Sequence, residues 1–223
     1  MAADDEPTNF LYPFIDAQED DPTSLLADLA ASAQAKAAES VALRRSTLEA
    51  NADLLERSAT EMARRFTAGG RMFTFGNGGS CTDSTTLTRL FARPPIGKPL
   101  PAWSLTADQA IMTALGNDVG FDLVFARQLI ARARAGDIAI AMSTSGNSPN
   151  LLTALAEARQ RGLYTVGFAG YDGGAFLDNP NVDVCFVVRS QSVHRIQESH
   201  AMLGYQLWLG THERIRDQGL GAA

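Results

Sequence analysis

From Arg71 onward the sequence repeats one order: a short apolar run, a loop of glycines or hydroxyl residues, then a helical stretch. The runs are Arg71–Phe75, Ala102–Leu105, Asp137–Met142, Tyr164–Phe168 and Val182–Val188. Helical patterns follow at about 83–91, 107–115, 121–133, 149–161 and 193–214, with Pro94-Pro95 and Pro99 punctuating a loop. Short runs that are apolar throughout read as strands buried on both faces. Strands alternating with helices give an α/β fold, a parallel sheet covered on both sides. Ligands of such sheets bind at the carboxyl ends of the strands, where the glycine and hydroxyl loops fall.

The first 70 residues read differently. Residues 1–22 are acid-rich, carry Pro7, Pro13 and Pro22, and hold one apolar cluster, Phe10-Leu11-Tyr12-Pro13-Phe14-Ile15. This is expected to be a separate tail. The cluster either packs on its own domain or docks a protein partner; the first is preferred, because terminal segments with large apolar groups usually find a local groove. Thr23 or Ser24 is placed to cap a helix through Leu25, Leu26 and Leu29. A second helix follows, with Val41, Leu48, Ala52, Leu55, Ala59, Met62 and Phe66 at near-heptad spacing, ended by Gly69-Gly70. The expected organisation is thus N-terminal helices at about 23–68 and an α/β core at about 69–223 in one domain. Helices ahead of the core have little sheet to cover, which favours a bundle shared between subunits over packing within one chain.

Bulk properties exclude several classes. The 223 residues suffice for a core without disulfides. A net charge of −6 and a pI near 5.0 argue against nucleic acid held by bulk electrostatics. Cys81 and Cys185 are far apart and form no C-x-x-C pair, so both are read as reduced thiols. No apolar run reaches membrane-spanning length, and the N-terminus is acidic where a signal peptide is basic. A cytoplasmic location is the expectation.

Two loops carry the chemistry. Ser143-Thr144-Ser145-Gly146-Asn147-Ser148 joins a buried strand to a helix whose first turn holds Pro149. A helix start exposes unpaired N–H groups at the positive end of its dipole, and hydroxyl donors added there make a phosphate cradle. The ordinary alternative is a serine-capped helix, but one hydroxyl suffices for a cap and this loop has four. Gly76-Asn77-Gly78-Gly79-Ser80 follows the first strand. Its third dinucleotide-fingerprint glycine would fall at Cys81, no acid stands near Leu105 to hold a ribose, and no G-K-[ST] follows. It reads instead as the second wall of a sugar pocket.

These loops, with Gly116-Asn117-Asp118-x-Gly120-Phe121-Asp122 and Arg195-Ile196-Gln197-Glu198, occur in the order seen in the sugar isomerase (SIS) domain family. Over about residues 35–215 the chain resembles the family's phosphoheptose isomerase branch, which also holds non-catalytic, DiaA-like relatives. The resemblance implies a three-layer sandwich with a five-stranded parallel sheet and a homo-oligomer, tetramer or dimer, built through the N-terminal helices. It also implies phosphate binding by Ser143, Thr144, Ser145 and Ser148. Asn77, Gly78, Ser80 and Asp118 would line the sugar, with Gln197 reaching in from a neighbouring subunit.

The chain departs from that branch at its chemistry. Isomerisation through an enediol needs an acid and a base on the two sides of the sugar. The branch places a histidine and, four residues on, a glutamate on the helix after the glycine loop; here those positions are Thr86 and Leu90. A histidine expected eight residues after Gln197 is Tyr205. The same side chains bind zinc in some relatives, and these replacements argue against that metal. Of the histidines His194, His200 and His212, only His200, one turn from Gln197, is a candidate for a relocated catalytic group, and its more ordinary role is structural or at an interface. His212 is expected to cap the last helix or face water. The expectation is a non-catalytic phosphosugar sensor, regulator or scaffold. The alternative is a sedoheptulose 7-phosphate isomerase, an aldose–ketose isomerase, using substitute residues.

Overall fold

A computed structural model describes residues 22–220. The acidic tail and its Phe10–Ile15 cluster lie outside the described residues. Two compact units make up the chain, Met1–Ala42 and Leu43–Ala223.

Where two helices were expected there is one, α1 (Pro22–Thr67). The stretch Ala30-Ala31-Ser32-Ala33-Gln34-Ala35-Lys36-Ala37-Ala38-Glu39 contains no glycine or proline and is built mostly from the strongest helix formers, so nothing interrupts the helix there. It starts at Pro22, whose missing N–H costs little in a first turn. Thr23 and Ser24 therefore lie inside that turn. Within the first unit every side chain from Thr23 to Glu39 is exposed.

The second unit holds a five-stranded parallel sheet. Its strands are β1 (Met72–Gly76), β2 (Ala102–Ser104), β3 (Ile138–Met142), β4 (Tyr164–Gly170) and β5 (Val184–Val188), in the order β2-β1-β3-β4-β5. Every pairing is parallel, with Met72 opposite Ile138 and Ile138 opposite Tyr164. The connecting helices are α2 (Gly79–Ala92), α3 (Gln109–Asp118), α4 (Val124–Arg132), α5 (Pro149–Gln160), α6 (Gly174–Leu177) and α7 (Val193–Leu220). The helix expected over 121–133 starts with a 3-10 turn, Phe121–Leu123, and the one-turn α6 had no sequence signal.

Strand periodicity sorts side chains into two apolar layers. Met72, Ile138, Ile140, Met142, Val166 and Phe168 face the C-terminal part of α1, with α2 and α7, through Met62, Phe66, Leu87, Phe91, Leu203 and Trp208. Phe73, Phe75, Ala139 and Ala141 face α4 and α5 through Phe125, Leu129, Leu151 and Leu155. The result is a three-layer sandwich. At the amino ends of the strands the buried Asp137 accepts hydrogen bonds from the Arg71 and Arg134 backbone N–H groups, both at 2.9 Å, and pairs with the Arg71 guanidinium at 2.8 Å. That satisfied carboxylate pins β3 to β1 at the end away from the loops. Cys81 and Cys185 are free thiols, and burial pushes the Cys185 thiol up to about 12.

Candidate functional site

The strand order reverses direction between β1 and β3: the chain leaves β1 toward β2 on one side and places β3 on the other. Loops leaving the carboxyl ends of two such strands diverge and open a crevice between them. The loop after β1 is Asn77–Gly78, and the loop after β3 is Ser143–Ser148. Both sequence candidates thus flank the switch point.

The hydroxyl loop is shaped by its own side chains. Ser143 Oγ accepts from the Gly146 N–H at 3.0 Å, and Ser145 Oγ accepts from the Asn147 N–H at 3.3 Å. Gly146 adopts φ +67°, and a Cβ there would sit 2.3 Å from the Gly173 carbonyl oxygen, so only glycine fits. Asn147 Oδ1 accepts from the Ala175 N–H at 2.7 Å, fastening the loop to α6. Ser148 stands at the N-cap of α5 but makes no capping bond with its side chain, and Pro149 occupies the first turn. Thr144, Ser145 and Ser148 are half-buried and Ser143 is buried. The Ser143 and Ser145 hydroxyls also lie 3.5 Å apart, so one can donate to the other and the second keeps its O–H donor, while Ser148 keeps its whole hydroxyl at the positive end of α5. The arrangement offers convergent donors to an anion of modest charge.

The two loops are fastened to each other. Asn77 Nδ2 donates to Asn150 Oδ1 at 2.9 Å, and Asn150 Nδ2 donates to Asn77 Oδ1 at 3.0 Å. Asn150 is buried in the first turn of α5 and had no distinguishing signal in the sequence. Asn77 and Gly78 line an open cavity of about 340 Å³ with Gly76, Cys81, Thr106 and Gln109. Ser80 is buried in the first turn of α2. Asp118 is exposed at the end of α3, where it accepts from Asn117 Nδ2 at 2.8 Å, and it does not line this cavity.

Gln197, expected from a neighbouring subunit, meets the glycine loop of its own chain. Its Nε2 would lie 2.2 Å from a Cβ at Gly79, and it donates to Asp83 Oδ2 at 3.1 Å. Burial raises the pKa of Asp83, against the Gln197 hydrogen bond that lowers it. Next to this pair is a small cavity of about 70 Å³ lined by Asp83, Thr86, Leu90, Met142, His200 and Tyr205, among others. Thr86, Leu90 and Tyr205 come from α2 and α7, far apart in sequence, and here line one cavity. They supply a hydroxyl, an isobutyl group and a phenol.

His200 is fully buried, with Nε2 3.1 Å from the Ala169 carbonyl oxygen. A carbonyl only accepts, so this nitrogen carries the ring proton. Burial lowers the pKa to about 4, which keeps the ring neutral near pH 7. His194 is exposed at the start of α7. His212 is neither a cap nor simply solvated, since its ring nitrogens reach the Trp208 and Lys98 carbonyls at 3.1 Å each, inside α7. A larger cavity of about 670 Å³ lies between Ile96–Leu100 and the last turns of α7. It is mostly apolar, with Lys98, His212 and Arg216 in its lining, and no residue of the glycine or hydroxyl loop borders it.

Residues 37–170 match the SIS domain family model. The chain belongs to the SIS domain family. This SIS domain is 42% identical over 175 residues to a phosphoheptose isomerase of Solidesulfovibrio magneticus, covering 76% of this chain and 82% of the relative. It is 39% identical over 170 residues to a phosphoheptose isomerase of Roseiflexus, covering 74% and 84%. Among solved structures, the phosphoheptose isomerase GmhA from Neisseria gonorrhoeae superposes with a TM-score of 0.76 at 31% identity, covering 83% of this chain and 99% of that one. The three-layer fold and the parallel sheet are those of its structural neighbours. No helix among the described residues is long and apolar enough to cross a membrane.

Proposed function

We propose that this SIS domain protein binds a phosphorylated sugar in the crevice between its two loops without isomerising it, and serves as a sensor, regulator or scaffold. The phosphate rests on Ser143, Thr144, Ser145 and Ser148, and the sugar lies toward Asn77, Gly78 and Gln197. The observation that carries the proposal is the convergence of Thr86, Leu90 and Tyr205 on one small cavity. An acid and a base are needed on the two sides of the sugar, and neither a threonine nor a leucine supplies one.

The same cavity does not suit zinc. Zinc takes thiolate, imidazole or carboxylate donors in a near-tetrahedral set. A hydroxyl, an alkyl group and a phenol do not make one, and among the described residues no three His, Cys, Asp or Glu side chains cluster to hold a metal. The exposed Leu25, Leu26, Leu29 and Val41 on α1 support assembly of this chain with copies of itself.

A second reading, an aldose–ketose isomerase with substitute residues, is favoured by Asp83. Asp83 lines the cavity, and burial raises its pKa against the Gln197 hydrogen bond that lowers it. The two readings separate in one assay on purified protein. Sedoheptulose 7-phosphate is titrated while Tm is followed, and the same samples are examined for aldose. A rise in Tm without product is expected, because a ligand stabilises the state that binds it. Product that disappears in Asp83→Asn would establish the isomerase.

A further inference from the structure

All of the chain's excess negative charge lies in its first 21 residues, which hold seven acids and no lysine or arginine, while residues 22–223 hold 19 lysines and arginines and 18 acids. Positive charge gathers in turn at the amino ends of the strands, away from the two ligand loops. There Arg65 Nη1 donates to the carbonyl of the buried Asp137 at 3.0 Å, Arg71 pairs with its carboxylate, and the Arg134 N–H donates to the same carboxylate. Arg71 also donates to the Arg132 carbonyl at 2.7 Å, which brings the end of α4 into the group. Glu61 pairs with Arg64 and Arg65, and Asp137 with Arg71, so Arg132 and Arg134 have no carboxylate partner among the described residues. Beside them is an open cavity of about 380 Å³ lined by Arg71, Phe73, Trp103, Ala131 and Arg132. Trp103 leaves 45% of its surface exposed on the edge strand β2, with its ring stacked on Phe73 at 6.0 Å.

Guanidinium groups take carboxylates, and an open indole takes another aromatic ring. One segment of this chain carries both. Phe10, Tyr12 and Phe14 stand between Asp4-Asp5-Glu6 on one side and Asp16, Glu19, Asp20 and Asp21 on the other. Helix length decides which copy can supply it. The 46 residues of α1 make a rod about 69 Å long. Arg64 and Arg65 are in its last turn and Arg71 lies just beyond. The stretch from Phe10 to Pro22 reaches about 43 Å at most when fully extended. The aromatic cluster therefore falls short of the arginines of its own chain. We propose that the arginine face and Trp103 dock residues 4–21 of a second copy of this chain. The acids meet Arg132, Arg134 and the outer side of Arg64, and the aromatic rings fill the cavity over Trp103 and Phe73. Each copy offers one segment and one face, so two copies can exchange them. The contact lies away from the sugar loops and does not rest on the phosphosugar reading.

Photo-cross-linking tests this in the full chain. The analogue p-benzoylphenylalanine is placed at Phe14, the protein is irradiated, and the products are separated under denaturing conditions and mapped by mass spectrometry. The expected product has the mass of two chains and joins position 14 to a peptide holding Trp103 or Arg132. Arg132→Glu, a change at an exposed side chain, is expected to lower its yield about fivefold, as for the loss of one exposed ion pair. Tryptophan fluorescence gives a second reading without a cross-link. The other tryptophan, Trp208, is fully buried, so acrylamide quenches mainly Trp103. Quenching is expected to increase when Phe10→Ser and Phe14→Ser are combined, a pair of changes outside the sheet and its helices. A product joined within one chain, a two-chain product joined at another surface, or no product overturns the proposal. So does a yield from Arg132→Glu equal to that of the wild type, or quenching that the paired serine changes leave as it was.

Discussion

Asn77 and Asn150 exchange both of their side-chain amide hydrogen bonds across the crevice, at 2.9 and 3.0 Å. One residue follows β1 and the other opens α5, so the pair sets the spacing between the glycine loop and the phosphate loop. Truncating Asn150 to alanine leaves the Asn77 amide without its partner. Asn150→Ala is expected to lower stability by about 1–3 kcal/mol and to weaken sugar-phosphate binding, while a control at the exposed Asn117 does neither. Urea unfolding and calorimetric titration check the two effects.

Ser148 separates a cap from a cradle. It stands at the N-cap of α5 yet makes no capping bond with its side chain. Ser148→Ala is therefore expected to leave stability nearly unchanged, within about 0.5 kcal/mol, and to weaken phosphate binding about fivefold, the equivalent of one hydrogen bond of about 1 kcal/mol. A loss of Tm with phosphate affinity intact would return this serine to helix capping.

Gly146 makes the opposite prediction. With φ +67° and the Gly173 oxygen 2.3 Å from any added Cβ, alanine cannot enter without moving the loop. Gly146→Ala is expected to cost at least about 1–2 kcal/mol and to abolish anion binding, as read by thermal melts with and without inorganic phosphate.

Acid stability reports on His200. Its folded pKa of about 4 lies below the ordinary 6.5, so protons bind the unfolded chain first. The contribution is fully present above pH 6.5 and is lost progressively as pH falls from there toward 4. Between pH 7 and pH 5 the loss is on the order of 2 kcal/mol. His200→Gln, which does not titrate, is expected to lack that component when urea midpoints are compared at the two pH values. Equal losses in both proteins would place the His200 pKa near its ordinary value.

The strand–loop–helix order was legible because buried strands and loop glycines leave local signatures, and both candidate loops fell at strand carboxyl ends as that order requires. Contacts that join distant segments left none. The Asn77–Asn150 pair, the Gln197–Asp83 bond and the common cavity of Thr86, Leu90 and Tyr205 exist only after α2, α5 and α7 pack. The expected break in α1 failed for a different reason: apolar clusters at its two ends suggested two elements, but the alanine-rich stretch between them has high helix propensity and no breaker. Motif order says nothing of exposure: Ser80 is buried in α2, and Asp118 is exposed outside the lining of the 340 Å³ cavity.

In the proposed function the pocket grips the sugar phosphate and carries out no proton transfer. An enediol pathway must remove a carbon-bound proton next to the carbonyl, so it exchanges that proton with solvent even when net conversion is small. The decisive measurement incubates the protein with sedoheptulose 7-phosphate in deuterated water, at concentrations where a Tm rise shows binding, and follows deuterium at the carbons flanking the carbonyl by NMR. A bound ligand with no incorporation above the protein-free rate is expected. Incorporation that scales with protein concentration would contradict it and make this SIS domain a working isomerase.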